Sequence, residues 1–136
     1  MIKNIWVPTL LRVVLGIIFL AHGISKFQMG LGNVEAWFSS MSVPGFMAYV
    51  AAIAEVVGGI LLIIGLFTRV VSALFIVLMI GAIVTVKLSA GLLGHDQVAG
   101  YELELSLILI SVYLLASGPA ALSADHFIFN KRSKVQ

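Results

Sequence analysis

The sequence predicts an all-α integral membrane protein, a four-helix bundle, from three observations. Hydrophobic residues make up 61% of the 136 residues and charged residues only 10%, too little polar surface to cover a soluble core this apolar. The apolar residues gather in four runs near the length of a membrane span. None of the runs alternates as a half-buried strand would, and four strands cannot close a barrel. The length suits one domain, and no repeat or low-complexity tract divides residues 1–136.

The first span is expected over about residues 5–27. Lys3 ahead of an apolar run, with small Ala21 and Gly23 further on, imitates a signal peptide. Arg12 interrupts that run, so the segment is expected to be retained as a span. The connection to the second span, Gln28 to Pro44, is long enough for a short helix of its own. Asn33 is placed to cap a turn through Val34, Glu35, Ala36, Trp37 and Phe38, which stops before Pro44. Trp37 and Phe38 suit the headgroup layer, so this reads as an interfacial helix, with a lid over a pocket as the sharper alternative. The second span is expected over 45–66. Only Phe67 to Arg69 separates it from the third, 70–88, so the two form a tight antiparallel hairpin. A loop over 89–97, with Gly91, Gly94, His95 and Asp96, leads to the fourth span over 98–117.

Loop charges set the expected orientation. With the N-terminus cytoplasmic, Lys3, Arg12, Arg69, Lys131, Arg132 and Lys134 share that side, and only Lys26 and Lys87 lie opposite. Six basic residues against two predicts both termini inside, in a multi-pass protein of a bacterial or archaeal cytoplasmic membrane. The basic tail is read as a lipid anchor. It is too short to make a nucleic-acid surface.

Glu55 is the most informative residue. No other charge lies between Gly45 and Phe67, a stretch that spans about 33 Å as a helix. An unpaired carboxylate near the midplane costs roughly 3 kcal/mol or more, so it must find a cation, a proton or a polar pocket. On the first span Arg12, Leu15, Phe19, His22 and Lys26 are spaced by three and four and share one stripe. With the spans aligned at their ends, Arg12 is the leading partner for Glu55. Snorkelling to the headgroups is the alternative for Arg12, and a structural ion pair is the alternative for Glu55. Small residues on the second span, Ala48, Ala51, Ala52, Gly58, Gly59 and Gly65, read as a close-packing face.

A second group is expected at the outer end. His22 and Lys26 close the first span there, Lys87 closes the third, and Tyr101 and Glu102 open the fourth. Two ammonium groups, an imidazole and a carboxylate at one depth suit an acidic or polar ligand. Snorkelling, or a Lys26–Glu102 salt bridge, is the plain alternative. Glu104 falls on a different helical face from Glu102 and is ranked below it, either paired with Lys87 or facing the headgroups.

The chain has no cysteine, which excludes dithiol chemistry, iron–sulfur clusters and thiolate zinc sites within it. A haem between His22 and His95 is disfavoured because His95 falls in a loop, and a metal at His22, Glu55 and Glu102 because these residues have no specific ligand spacing, so no metal is expected. No phosphate loop, nucleophile elbow or metalloprotease motif is present.

Arg12, Val13, Val14, Leu15 and Gly16, followed by His22, Gly23 and Lys26, resemble the opening signature of the DoxX family. Glu55 with Gly58 and Gly59, then Gly65, Thr68 and Arg69, resemble its second element, and Gly100, Tyr101 and Glu102 the start of its last span. Gly118 and Pro119, then Ser123, Ala124 and Asp125, resemble its ending, with Ala120 where a glycine is usual. The resemblance covers about residues 12–125. It implies a four-helix membrane protein tied to redox metabolism. Family members include the small membrane subunit of a thiosulfate:quinone oxidoreductase, CatD-type proteins that accompany resistance to catechols and quinones, and proteins linked to oxidative-stress complexes. Catalytic residues are not settled across the family, so Glu55, Arg12 and Glu102 enter as catalytic candidates only.

The resulting expectation is a membrane subunit that binds a quinone or phenolic relative. Phe19 and Tyr101 would flank the ring; His22, Lys26, Lys87 and Glu102 would supply donors and a proton-exchanging acid. A partner protein would supply electrons. Two other readings remain open: a non-catalytic anchor for an oxidoreductase complex, and a small proton-coupled transporter using Glu55. A homo-oligomer is compatible with each.

Overall fold

The computed structural model describes residues 6–95 and 98–117, together with Ala124 and Ile128. Among them are five α-helices: α1 (Trp6–Met29), α2 (Leu31–Ser40), α3 (Met47–Ile64), α4 (Thr68–Ala82) and α5 (Glu102–Ser117). α4 runs on through a π-helical turn (Ile83–Lys87) and a short 3₁₀ turn (Leu88–Ala90). A two-residue antiparallel ribbon follows, β1 (Gly94–His95) on β2 (Val98–Ala99). The fourth apolar run therefore becomes helical at Glu102 and not at Val98, because Val98 and Ala99 pair back onto the loop. Gly100 fits the bend at which α5 departs, since a Cβ there would lie 2.2 Å from the Leu92 carbonyl oxygen.

Three helical segments, Trp6–Met29, Met47–Ile64 and Thr68–Thr85, are long and apolar enough to cross a membrane. Their outward surfaces bear it out. Leu10, Ile17, Ile53, Val70 and Val77 are exposed, where a soluble helix would carry charge. The inward faces build a core of Leu15, Phe19, Leu62, Val71, Phe75, Met79, Leu107 and Leu114.

α1 packs chiefly on α3, and α4 chiefly on α5. Glycine sets the first of these contacts. A Cβ at Gly16 would fall 2.7 Å from the Gly59 carbonyl oxygen, and one at Gly23 would fall 2.9 Å from the Val56 amide nitrogen. Two helices approach this closely in lipid only where side chains are absent. The pairing of low numbers on α1 with high numbers on α3 makes the helices antiparallel. Gly58 serves the next interface: its missing side chain admits the Phe75 ring, which stacks on Phe19 with centroids 3.7 Å apart.

The α3–α4 connection is as tight as expected. Gly65 takes a left-handed φ of 77° and its amide bonds the Leu62 carbonyl, while the Leu66 amide reaches back to Leu61. This is a Schellman ending. The short helix in the first connection is present as α2, but it starts earlier than Asn33. Gly30 precedes it, and Asn33 Nδ2 donates back to the Met29 carbonyl. Asn33 therefore caps the end of α1 instead of opening α2. Tyr49 donates from its hydroxyl to Glu35 Oε2 at 3.0 Å and ties α2 to α3.

Candidate functional site

The register of α1 on α3 decides the partner of Glu55. The Gly16–Gly59 and Gly23–Val56 contacts bring the last turns of α1 beside Glu55. Lys26 Nζ lies 2.8 Å from Glu55 Oε2 and 3.1 Å from Oε1, so one ammonium group serves both oxygens. Glu55 is 5% exposed, as its isolation in an apolar run required. Arg12, the expected partner, is not the one. It lies fourteen residues back along α1, about 21 Å at 1.5 Å per residue. It is buried towards the α3–α4 turn, where it makes its own interactions.

The buried stripe of α1 is Arg12, Leu15, Gly16, Phe19 and Gly23. His22 belongs to the expected stripe but lies to one side of it and is exposed; Gly23 takes the buried place because the α3 backbone passes there. His22 Nδ1 is 2.8 Å from the Ile18 carbonyl oxygen and donates to it, which leaves Nε2 as the acceptor. Phe19 does not line an open slot. It is 1% exposed and locked against Phe75.

At the same end of the molecule α4 and α5 are bridged by a second pair, Lys87 to Glu104 Oε1 at 2.5 Å. Here too the structure corrects the expected ranking: Glu104 is buried and Glu102 is exposed. α5 faces α4 and the core through Glu104, Leu107, Ser111 and Leu114, a three-four-three spacing that was visible in the sequence and points to Glu104. Glu102, two residues earlier, falls on the far side. Tyr101 is half-buried, and its backbone amide donates to the Gly91 carbonyl.

The structure places His22, Lys26, Lys87 and Glu102 at one end of the helices. It pairs only the two lysines with acids, Lys26 with Glu55 and Lys87 with Glu104, and His22 and Glu102 belong to neither pair. Of the four carboxylate oxygens in these two pairs, one stands apart. Glu104 Oε2 is buried and has no hydrogen-bond partner among the described residues.

A membrane protein whose buried carboxylates meet lysines at one end of an apolar helical domain is the class that fold and site define. The chain belongs to the DoxX family, whose model matches residues 7–88. It is 46% identical over 120 residues to "Putative oxidoreductase CatD" of Bacillus subtilis, covering 88% of this chain and 85% of that one. It is 36% identical over 129 residues to an uncharacterized membrane protein of Mycobacterium tuberculosis, over 85% of this chain and 77% of that one. An uncharacterized protein of Haemophilus influenzae is 34% identical over 122 residues, 89% and 90% of the two chains. No solved structure matches.

Proposed function

We propose that this protein is the membrane subunit of a redox system that binds a quinone or a phenolic relative and works with a partner supplying the electrons. The observation that supports this most is the pair of partly buried Lys–Glu bridges at one end of the helices, each with a buried carboxylate, together with exposed His22 at that end. Burying ions is costly and adds little stability, so two such pairs in a domain this small favour use over support. The oxidoreductase name of the Bacillus relative points the same way.

The chemistry asked of the chain is limited. Lys26 and Lys87 are donors suited to a ring carbonyl oxygen, held in place by Glu55 and Glu104. His22 Nε2, facing outward, is suited to exchange a proton with the ligand. The electrons are assigned to the partner protein in this reading. We place α5 as a fourth span because it packs along α4 and exposes Leu109 and Val112 as the other spans expose theirs. Both termini then lie on the cytoplasmic side of a bacterial membrane, the end near Arg12 and Arg69. The two lysines at the other end are both engaged by acids. The tail Lys131, Arg132 and Lys134, which adds to the inner charge, lies outside the described residues.

Binding of menadione to the purified protein tests this. Trp37 and Trp6 sit at opposite ends, so in a Trp6→Phe background Trp37 alone reports on the site. Quenching should weaken at least about tenfold in His22→Ala and in Lys87→Met, one good polar contact being worth about that much. Unchanged affinity in both, with helix content intact, removes the site. A scaffold role is favoured by one observation: each bridge also pins a neighbouring helix pair, α1 to α3 and α4 to α5.

A further inference from the structure

We propose that Glu104 makes the outer site selective for the reduced, hydroxyl-bearing form of its aromatic ligand over the quinone. This rests on the reading just given and adds a chemical preference to it. The two bridges are not equivalent. Glu55 has both oxygens on Lys26. Glu104 has Oε1 on Lys87, and its Oε2 is buried without a partner among the described residues. Its side chain is nine-tenths buried. A carboxylate oxygen in that position is an unspent acceptor, costly to leave unmade.

Only a donor satisfies it. A quinone presents carbonyl oxygens, which accept and never donate. A phenol or hydroquinone presents O–H groups, which donate. The Lys87 ammonium, already committed to Oε1, is a quarter exposed and keeps hydrogens for the ring oxygen itself. Ammonium donor and carboxylate acceptor together match a hydroxyl, which does both.

The backbone beside the site is irregular in a way that serves this. α4 passes into a π-helical turn over Ile83–Lys87, so Lys87 closes the one segment of α4 with a widened, less regular hydrogen-bond ladder. Turns of this kind recur at functional sites. Glu104 Oε2 has no accessible surface, so a hydroxyl reaches it only as the packing around it gives way, and the turn that carries Lys87 is joined to Glu104 through Oε1.

The test uses calorimetry of the full chain in detergent, titrated with tert-butylhydroquinone under reducing conditions, with tert-butylbenzoquinone, and with the dimethyl ether of the hydroquinone. Wild type should bind the hydroquinone at least about tenfold more tightly than the quinone, which keeps the size and loses the donors, and more tightly than the ether, which loses the donors and adds two methyl groups. In Glu104→Gln the amide oxygen must face Lys87, which turns the amide NH₂ into the former Oε2 position and makes it a donor. Preference should then swing towards the quinone. Wild type binding the ether as tightly as the hydroquinone overturns the proposal, with no variant needed. So does a folded Glu104→Gln that keeps the wild-type preference. Binding of both forms without preference overturns the selectivity and leaves the quinone reading standing, whereas binding of neither form overturns both.

Discussion

Breaking the Lys26–Glu55 bridge should reveal an asymmetry that the structure fixes in advance. The Glu55 side chain is 6% exposed and the Lys26 side chain 18%. Lys26→Met strands a carboxylate with both oxygens deprived of their donor and no route to water. Removing one partner of a buried pair costs about 3–5 kcal/mol. Glu55→Leu strands the ammonium instead, but Lys26 sits in the last turn of α1 and its long stem can carry the charge outward, so about 1–2 kcal/mol is expected. Lys26→Met with Glu55→Leu leaves neither charge and keeps the volume. Such replacements are neutral or stabilising by about 1–4 kcal/mol. The double variant should therefore match or exceed wild type, with a coupling energy of about 4 kcal/mol or more in the cycle. The assay is reversible unfolding in mixed micelles followed by far-ultraviolet circular dichroism. Additive losses in the double variant would refute the pairing. So would a cycle in which Arg12→Met couples to Glu55→Leu and Lys26→Met does not.

Other outcomes follow from the same geometry. A cysteine at Asn33 should react with an impermeant thiol reagent on intact cells and one at Lys134 should not; the reverse pattern inverts the orientation. Gly59→Ala should cost about 1–3 kcal/mol, since its Cβ would meet the backbone of Gly16 and Leu20 within 2.8 Å, while Gly81→Ala, with nothing near, should be neutral or slightly stabilising in the same unfolding assay. Phe19→Ala should cost about 3–5 kcal/mol through the cavity left beside Phe75, and a smaller loss would mean the stack is not part of the core.

Much of the architecture was legible because lipid simplifies the code. Runs of Leu, Ile and Val mark helices, and the single Glu55 among them marks an inward face. What the sequence could not supply was register. Aligning spans by their ends assumes equal lengths and no offset, and it set Glu55 against the middle of α1. The actual offset is decided by which glycine meets which, Gly16 on Gly59, and nothing in the one-dimensional pattern says so. Glu104 is different, since its place ahead of Leu107, Ser111 and Leu114 is readable in the sequence, where Glu102 beside Tyr101 is the more prominent acid. The π turn before Lys87 had no readable signal. It matters because Lys87 is its last residue.

The same double variant separates the redox reading from the scaffold reading. A scaffold needs α1 and α3 held in register, and the Gly16–Gly59 contact does that without any charge. Lys26→Met with Glu55→Leu should then keep its fold and still retain a redox partner in a pull-down from membranes. If the bridge instead positions a donor for a ring oxygen, the same protein should stay folded and lose ligand affinity at least about tenfold. Stability therefore has to be measured first, because only a variant as stable as wild type makes lost affinity a statement about chemistry. If folding, partner retention and ligand affinity all survive, the first bridge has no part in the proposed function. The Lys87–Glu104 pair, with its unmet Oε2, would then have to carry that function alone.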